Sequence, residues 1–357
     1  MAGPSGNRPR WPRSRAARVA VVLLAALALT LAALALVNQS SSSRTKAAVS
    51  SCNGSAALCG RRLDEVVFPG THNSFAASRE PGWYFANQNY PIPRQLDDGI
   101  RALLIDVHLG VADPASGRVR TDLHAQGSDR NKVAEAVPAA ALAVADRVAG
   151  GVGLGTLKGT PELYLCHTLC ELGAEPLAQE LQAIKRFLDQ HRDQVLIVIV
   201  EDYVPPAAIA RAFEQAGLSR YVATLDRNEQ PPTLGALIAH EERLLVFAEE
   251  KGGSPSWYMP AFAFIQDTPL GAAHPAQLSC KRYRGEHHSP LLLMNYWIPP
   301  FPPSPTLNAT IGRAPFLRSR LERCFKERGF AGAIVAVDFY QRTSVVKLAT
   351  ELNDQNR

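Results

Sequence analysis

A closed (β/α)8 barrel, preceded by one N-terminal transmembrane or signal segment, is the fold that the sequence predicts. Three observations carry it. From residue 66 to the end, short β-branched apolar runs alternate with amphipathic stretches, the pattern of parallel strands joined by helices. The apolar runs number eight: 66–69, 100–107, 163–166, 195–200, a weaker 221–224, 243–248, 291–296 and 333–337. Five of them end in polar groups, for which a strand buried on both faces has no local need.

The first 51 residues stand apart from that alternation. Arg8, Arg10, Arg13, Arg15 and Arg18 form a basic tail over residues 1–18 that contains no acid. Residues 19–37 are an uncharged apolar run, long enough as a helix to span roughly 28 Å against a hydrocarbon core of ~30 Å. A positive start before an apolar run reads as a signal anchor or a signal peptide, with everything after it extracytoplasmic, or secreted if the segment is cleaved. Residues 38–51 are Ser-rich and aperiodic and read as a stalk, which leaves 52–357 as the folded domain. The formal charge of +5 is modest, and five of its arginines lie in the tail, so nucleic acid is not an expected partner. The six cysteines, Cys52, Cys59, Cys166, Cys170, Cys280 and Cys324, all follow the apolar run. An even count on the exported side predicts disulfides, with nearest neighbours paired, rather than zinc, for which no paired Cys-x-x-Cys spacing exists.

Helices are expected between the strands at 176–191, 206–216, 233–239, 315–328 and 344–352. The first carries apolar residues at 177, 181, 184, 187 and 188, one helical face. Residues 110–160 interrupt two strands as a long insertion, with an Ala-rich helical piece at 131–149 that contains Pro138. Residues 299–305 are proline-dense beside Trp297 and Phe301; this aromatic loop and Trp257-Tyr258 read as packed surface or as a lipid-facing edge.

The polar strand ends concentrate the chemistry. His72 and Asn73 follow the first strand, Asp106 and His108 lie two apart on the second, His167 ends the third, Glu201 the fourth and Asp338 the last. In a closed barrel the last strand lies beside the first, so Asp338 is the natural partner of His72, able to fix its tautomer and raise its basicity. Two imidazoles and supporting acids suit in-line displacement at phosphorus, one ring taking a proton from the attacking hydroxyl and the other giving one to the leaving oxygen. Asn73, Asp106 and Glu201 offer oxygen ligands to a hard cation, Ca2+ before Mg2+, and a metal-free mechanism stays open beside it.

The stretches Gly70-Thr-His-Asn-Ser74, Gln95-Leu-Asp-Asp-Gly-Ile-Arg101, Leu104-Ile-Asp-Val-His108, Cys166-His167 and Glu201-Asp202 resemble the phosphatidylinositol-specific phospholipase C X-domain superfamily, in its exported, cysteine-containing bacterial or fungal branch. The resemblance covers roughly residues 60–345 and implies an irregular TIM barrel. It implies His72 as the first catalytic histidine, His167 as the general acid, Asn73 and Glu201 as metal ligands, and Asp338 as the acid supporting His72. Leu104 stands where calcium-dependent members carry an acid, Asp106 stands where metal-free members carry arginine, and His108 is additional. His124 is a second candidate for the acid role, and Arg101 and His108 are the substrate-binding candidates.

The expected function is a phosphoric diester hydrolase or lyase acting on a phosphatidylinositol-like lipid at a membrane. Two alternatives stand beside it: a lipid or polyanion binding module on the same barrel, and a glycerophosphodiesterase or sphingomyelinase-D-like enzyme.

Overall fold

The computed structural model describes residues 50–124, 128, 130–150 and 159–355. The basic tail, the apolar run and all but the last two residues of the Ser-rich segment lie outside them. Among the described residues no helix is long and apolar enough to cross a membrane.

Eleven strands form one sheet: β1 (Val67–Thr71), β2 (Ala102–Ala112), β3 (Val119–Thr121), β4 (Glu162–Leu165), β5 (Glu175–Pro176), β6 (Leu196–Asp202), β7 (Leu244–Ala248), β8 (Tyr258–Pro260), β9 (Ile265–Asp267), β10 (Leu291–Asn295) and β11 (Ala333–Val337). Eight of them run parallel in the order β8-β7-β6-β2-β1-β11-β10-β9 and curl into a barrel. The expected neighbour relation holds, since β1 pairs with β11 from Val67↔Ala333 to Thr71↔Val337. The expected closure does not. The end strands β8 and β9 are not paired with each other; the one-turn helix Ala261–Phe264 lies between them in sequence, so the ring has an open seam.

The count of eight also hides two exchanges. Residues 163–166 are not a barrel stave: β4 runs antiparallel to the far end of β2, from Val107↔Leu165 to Gly110↔Glu162. Residues 221–224 contribute only the isolated bridge Val222↔Leu244. Their places are taken by β8 and β9, three residues each, too short to register as apolar runs. Helices otherwise follow expectation, at Leu177–Gln190, Pro206–Gln215, Leu234–Ala239, Ala314–Arg328 and Val345–Gln355. The Ala-rich piece is two helices, Arg130–Ala136 and Ala139–Ala149, divided at Pro138, whose ring leaves no N–H for a continuous ladder.

Side chains alternate across each strand, and the alternation builds two cores. Val67, Leu103, Ile105, Val198, Val246, Met294 and Val335 face outward and pack under Leu181, Ile184, Phe213, Leu321 and Leu348 of the helices. Phe68, Leu104, Ile199, Phe247, Leu293 and Ala336 face inward and fill the barrel, with Leu58 and Leu63 joining that cluster. All six cysteines are paired as nearest neighbours, Cys52–Cys59, Cys166–Cys170 and Cys280–Cys324. Tyr258 and Trp297 are buried, so the packed reading holds for both, whereas Phe301 is 39% exposed.

Candidate active site

Counting in twos from the inward-facing residues reaches the site. The next inward position after Phe68 and Gly70 is His72; after Leu104 it is Asp106; after Ile199, Glu201; after Phe247, Glu249; after Ile265, Asp267; after Leu293, Asn295; after Ala336, Asp338. Parallel strands put all of these at one mouth, where the apolar filling gives way to polar groups.

Two histidine–aspartate pairs form there. His72 Nδ1 is 2.9 Å from Asp338 Oδ1, which is 1% exposed, and the His72 ring stacks on Trp297 with centroids 3.9 Å apart. His167 Nδ1 is 3.0 Å from Asp106 Oδ2 and 3.1 Å from the amide nitrogen of Asn73. The two rings face edge to face, with centroids 6.4 Å apart. In each pair the carboxylate takes Nδ1, which leaves Nε2 as the nitrogen for proton transfer. The His167 side chain is 54% exposed; partial desolvation presses its proton affinity down, but the hydrogen bond and charge of Asp106, with Glu201 and Asp338 behind, win and raise it above the ordinary imidazole value. His167 reaches this place although β4 is not a barrel strand, because the antiparallel hairpin folds back along β2 and Thr168 turns in the left-handed region at φ 63°. The Cys166–Cys170 disulfide closes around it.

His72 sits between two cavities. One, of about 90 Å³, is polar and is lined by His72, Asp106, Glu201, Glu249, Arg284, Asn295 and Trp297. Arg284 donates to Glu249 and to Asp267, each at 2.6 Å, a charge pair that fixes the cavity wall. Glu201 is pushed up to about 7 by burial and by the neighbouring Asp106, with the hydroxyl of Tyr203 donating to it in partial opposition. The other cavity, of about 200 Å³, is a largely apolar cleft lined by His72, His167, Asn87, Trp83, Phe85, Leu172 and Phe301, and by Val137 and Ala141 from the insertion.

The remaining sequence candidates fall elsewhere. Arg101 precedes β2 at the opposite end of the barrel, where it donates to Gln194 and to the Leu96 and Ile100 carbonyls and stacks on Phe187. Burial lowers its pKa to about 10, and it lines neither of the cavities beside His72. His108 is buried against the Tyr203 ring and lines neither of these two cavities. His124 is an exposed turn residue and also lines neither.

Of the three expected metal ligands, two share one cavity. Asp106 and Glu201 are register partners and share the polar cavity, whereas Asn73 lies outside its lining, its amide nitrogen donating to Asn87 and standing 3.1 Å from His167 Nδ1. Among the described residues no group of three or more His, Cys, Asp or Glu is arranged to hold a metal ion. Glu249, Asp267, Arg284, Asn295, Trp297 and Asn87 were missed by sequence reasoning. For Glu249, Asp267 and Asn295 the two-residue count along each strand was the available signal.

A family model described as PI-PLC X 1 matches residues 141–353, more than half of the chain. The chain belongs to the PI-PLC X domain family. Among PI-PLC X relatives, a PI-PLC X domain-containing protein of Arabidopsis thaliana is 24% identical over 302 residues, covering 76% of this chain and 57% of the relative. An uncharacterized secreted protein of Arthroderma benhamiae is 25% identical over 228 residues, covering 61% of this chain and 40% of that one. The chain thus spans about half the length of these two relatives. Phosphatidylinositol-specific phospholipase C from Listeria monocytogenes is a structural neighbour at 14% identity, covering 83% of this chain and 97% of its own, with a TM-score of 0.46.

Proposed function

We propose that this PI-PLC X domain protein is a phosphodiesterase that cleaves a phosphatidylinositol-like phospholipid by acid–base catalysis. The observation that carries the reading is the placement of two histidine–aspartate pairs, rings 6.4 Å apart, where a polar cavity meets an apolar cleft. An amphipathic diester presents that same division, a polar headgroup on one side of phosphorus and an apolar alcohol on the other.

His72, supported by Asp338, takes the proton of the attacking hydroxyl at Nε2 as the new oxygen–phosphorus bond forms. The bond from phosphorus to the alcohol oxygen breaks, and that oxygen takes the Nε2 proton of His167, which Asp106 keeps loaded. Where the attacking hydroxyl belongs to the headgroup itself, the product is a cyclic phosphate. Holding both rings in place before reaction supplies the orientation that a free imidazole lacks. No step is assigned to a metal, because the two histidine–aspartate pairs account for both proton transfers. The three disulfides support an oxidising, extracytoplasmic location for the domain.

The test is a panel of phosphodiesters incubated with the full chain, with and without chelator, and followed by phosphorus NMR. A cyclic phosphate released from the inositol lipid, undiminished by chelator, is the expected result. His72→Ala and His167→Ala should each lower turnover by roughly 10² to 10⁴-fold with unchanged thermal unfolding. Full turnover in His167→Ala would remove the acid from the scheme, and headgroup binding without any released product would leave a binding module.

A further inference from the structure

Asn87 belongs to no motif and sits in the loop between β1 and the helix Ile92–Asp97, yet it stands between the two histidine–aspartate pairs. Its side chain is buried, at 7% exposure. Its amide nitrogen donates to Asp338 Oδ2 at 3.1 Å, the oxygen that His72 does not use. Its amide oxygen accepts from Asn73 Nδ2, also at 3.1 Å, and that nitrogen is in turn 3.1 Å from His167 Nδ1. The polarity of this chain is forced, whichever way amides are assigned. A carboxylate only accepts, so the group facing Asp338 must be the Asn87 NH2; its oxygen then faces Asn73, which must present nitrogen.

The backbone around Asn87 is tied to the same two strand ends. The Asn87 carbonyl accepts from the Phe339 N–H at 2.8 Å. Gln88 Nε2 donates to the His72 carbonyl at 2.8 Å and the Val337 carbonyl at 3.0 Å, and its Oε1 accepts from the Tyr340 N–H at 3.2 Å. A loop residue present only to fill space needs none of these bonds to the residues flanking His72 and Asp338.

We infer that Asn87 is a positioning residue for both halves of the site. Its N–H fixes the rotation of the Asp338 carboxylate so that Oδ1 faces His72, and its carbonyl holds Asn73 against the ring of His167. The two rings are thereby set in one frame, a role that rests on the acid–base reading above. Asn87 acts through Asp338 and Asn73, so although it also forms part of the cleft wall, its loss should lower kcat more than it changes KM.

Two variants of the full chain test it. Asn87→Leu keeps the approximate volume and removes both bonds; Asn87→Asp keeps the shape, gives no N–H and turns a like charge toward Asp338. The readout that needs no substrate is the low-field Nδ1–H proton resonance of the His72–Asp338 bond, assigned by its loss in Asp338→Asn. It should be present in the wild type and shifted or broadened away in both Asn87 variants, with kcat lowered about 10- to 100-fold and KM within about threefold, as for supporting partners elsewhere. An unmoved resonance, or unchanged kcat beside a lowered Tm, would make Asn87 a packing residue and overturn the inference. Should Asn87→Leu fail to fold, Asn87→Asp decides alone. If the wild type cleaves no diester, the proposed function fails while the resonance still decides the role of Asn87.

Discussion

His72, Asp106, Glu201, Glu249, Asp267, Asn295 and Asp338 lie one inward step beyond the apolar filling of their strands. Crowding acids at that step has a thermodynamic signature. Glu201 holds its proton up to about pH 7 in the folded chain, whereas an exposed glutamate has lost it near 4.5. Between those values the folded state binds more protons than the unfolded state, so stability falls as pH rises through the window. His167 acts in the same direction: its raised pKa contributes stability that is complete below the ordinary imidazole value and is lost as pH rises through the folded value. Unfolding midpoints measured from pH 4.5 to 8 should therefore decline, and Glu201→Gln should flatten the lower part of that decline. A variant whose slope matches the wild type would show that Glu201 is not the group responsible. The pairing of His72 with Asp338 was legible in the sequence because adjacency of first and last strands follows from barrel topology. The pairing of His167 with Asp106 was not, since no sequence pattern announced that β4 would fold back antiparallel on β2.

At the scale of elements, β2 explains that fold-back. It runs for 11 residues, and its far end, past the register with β6, serves as the template for β3 and β4. A run ending in Leu-Cys-His looked like another stave because apolar content reports burial and not strand direction. The same reasoning missed β8 and β9, whose three residues each carry too little pattern to be seen. The disulfides divide by span in a way that bears on function. Cys280–Cys324 closes a separation of 44 residues, which in a chain-entropy account contributes about 4 kcal/mol. Cys166–Cys170 closes a separation of only 4 around His167, for about 2 kcal/mol. Replacing Cys280 and Cys324 by alanine should chiefly lower the unfolding temperature. The same replacement at 166 and 170 should chiefly lower kcat, by about tenfold, because the turn that aims His167 is released. Equal kcat losses from the two double variants would contradict that division.

Across the whole molecule the two ends of the barrel do different work. Charge at the upper mouth is arranged around the cavities, while Arg101 at the lower end spends its guanidinium on carbonyls and an aromatic ring. Arg101→Met should therefore cost about 1–3 kcal/mol of stability, by removing the donor to the Ile100 carbonyl and to Gln194, and leave KM for any substrate unchanged. A raised KM with an unaltered unfolding temperature would return Arg101 to the substrate.

The seam between β8 and β9 gives the ring a weakest joint. A closed cylinder shares every disturbance around its circumference, but one with an unbonded gap can loosen from the two lips without breaking the remaining rungs. Deuterium uptake in backbone amides of 258–267 should accordingly run ahead of uptake in β1, β2 and β6, and new chain termini cut there should be tolerated where cuts in those three strands are not.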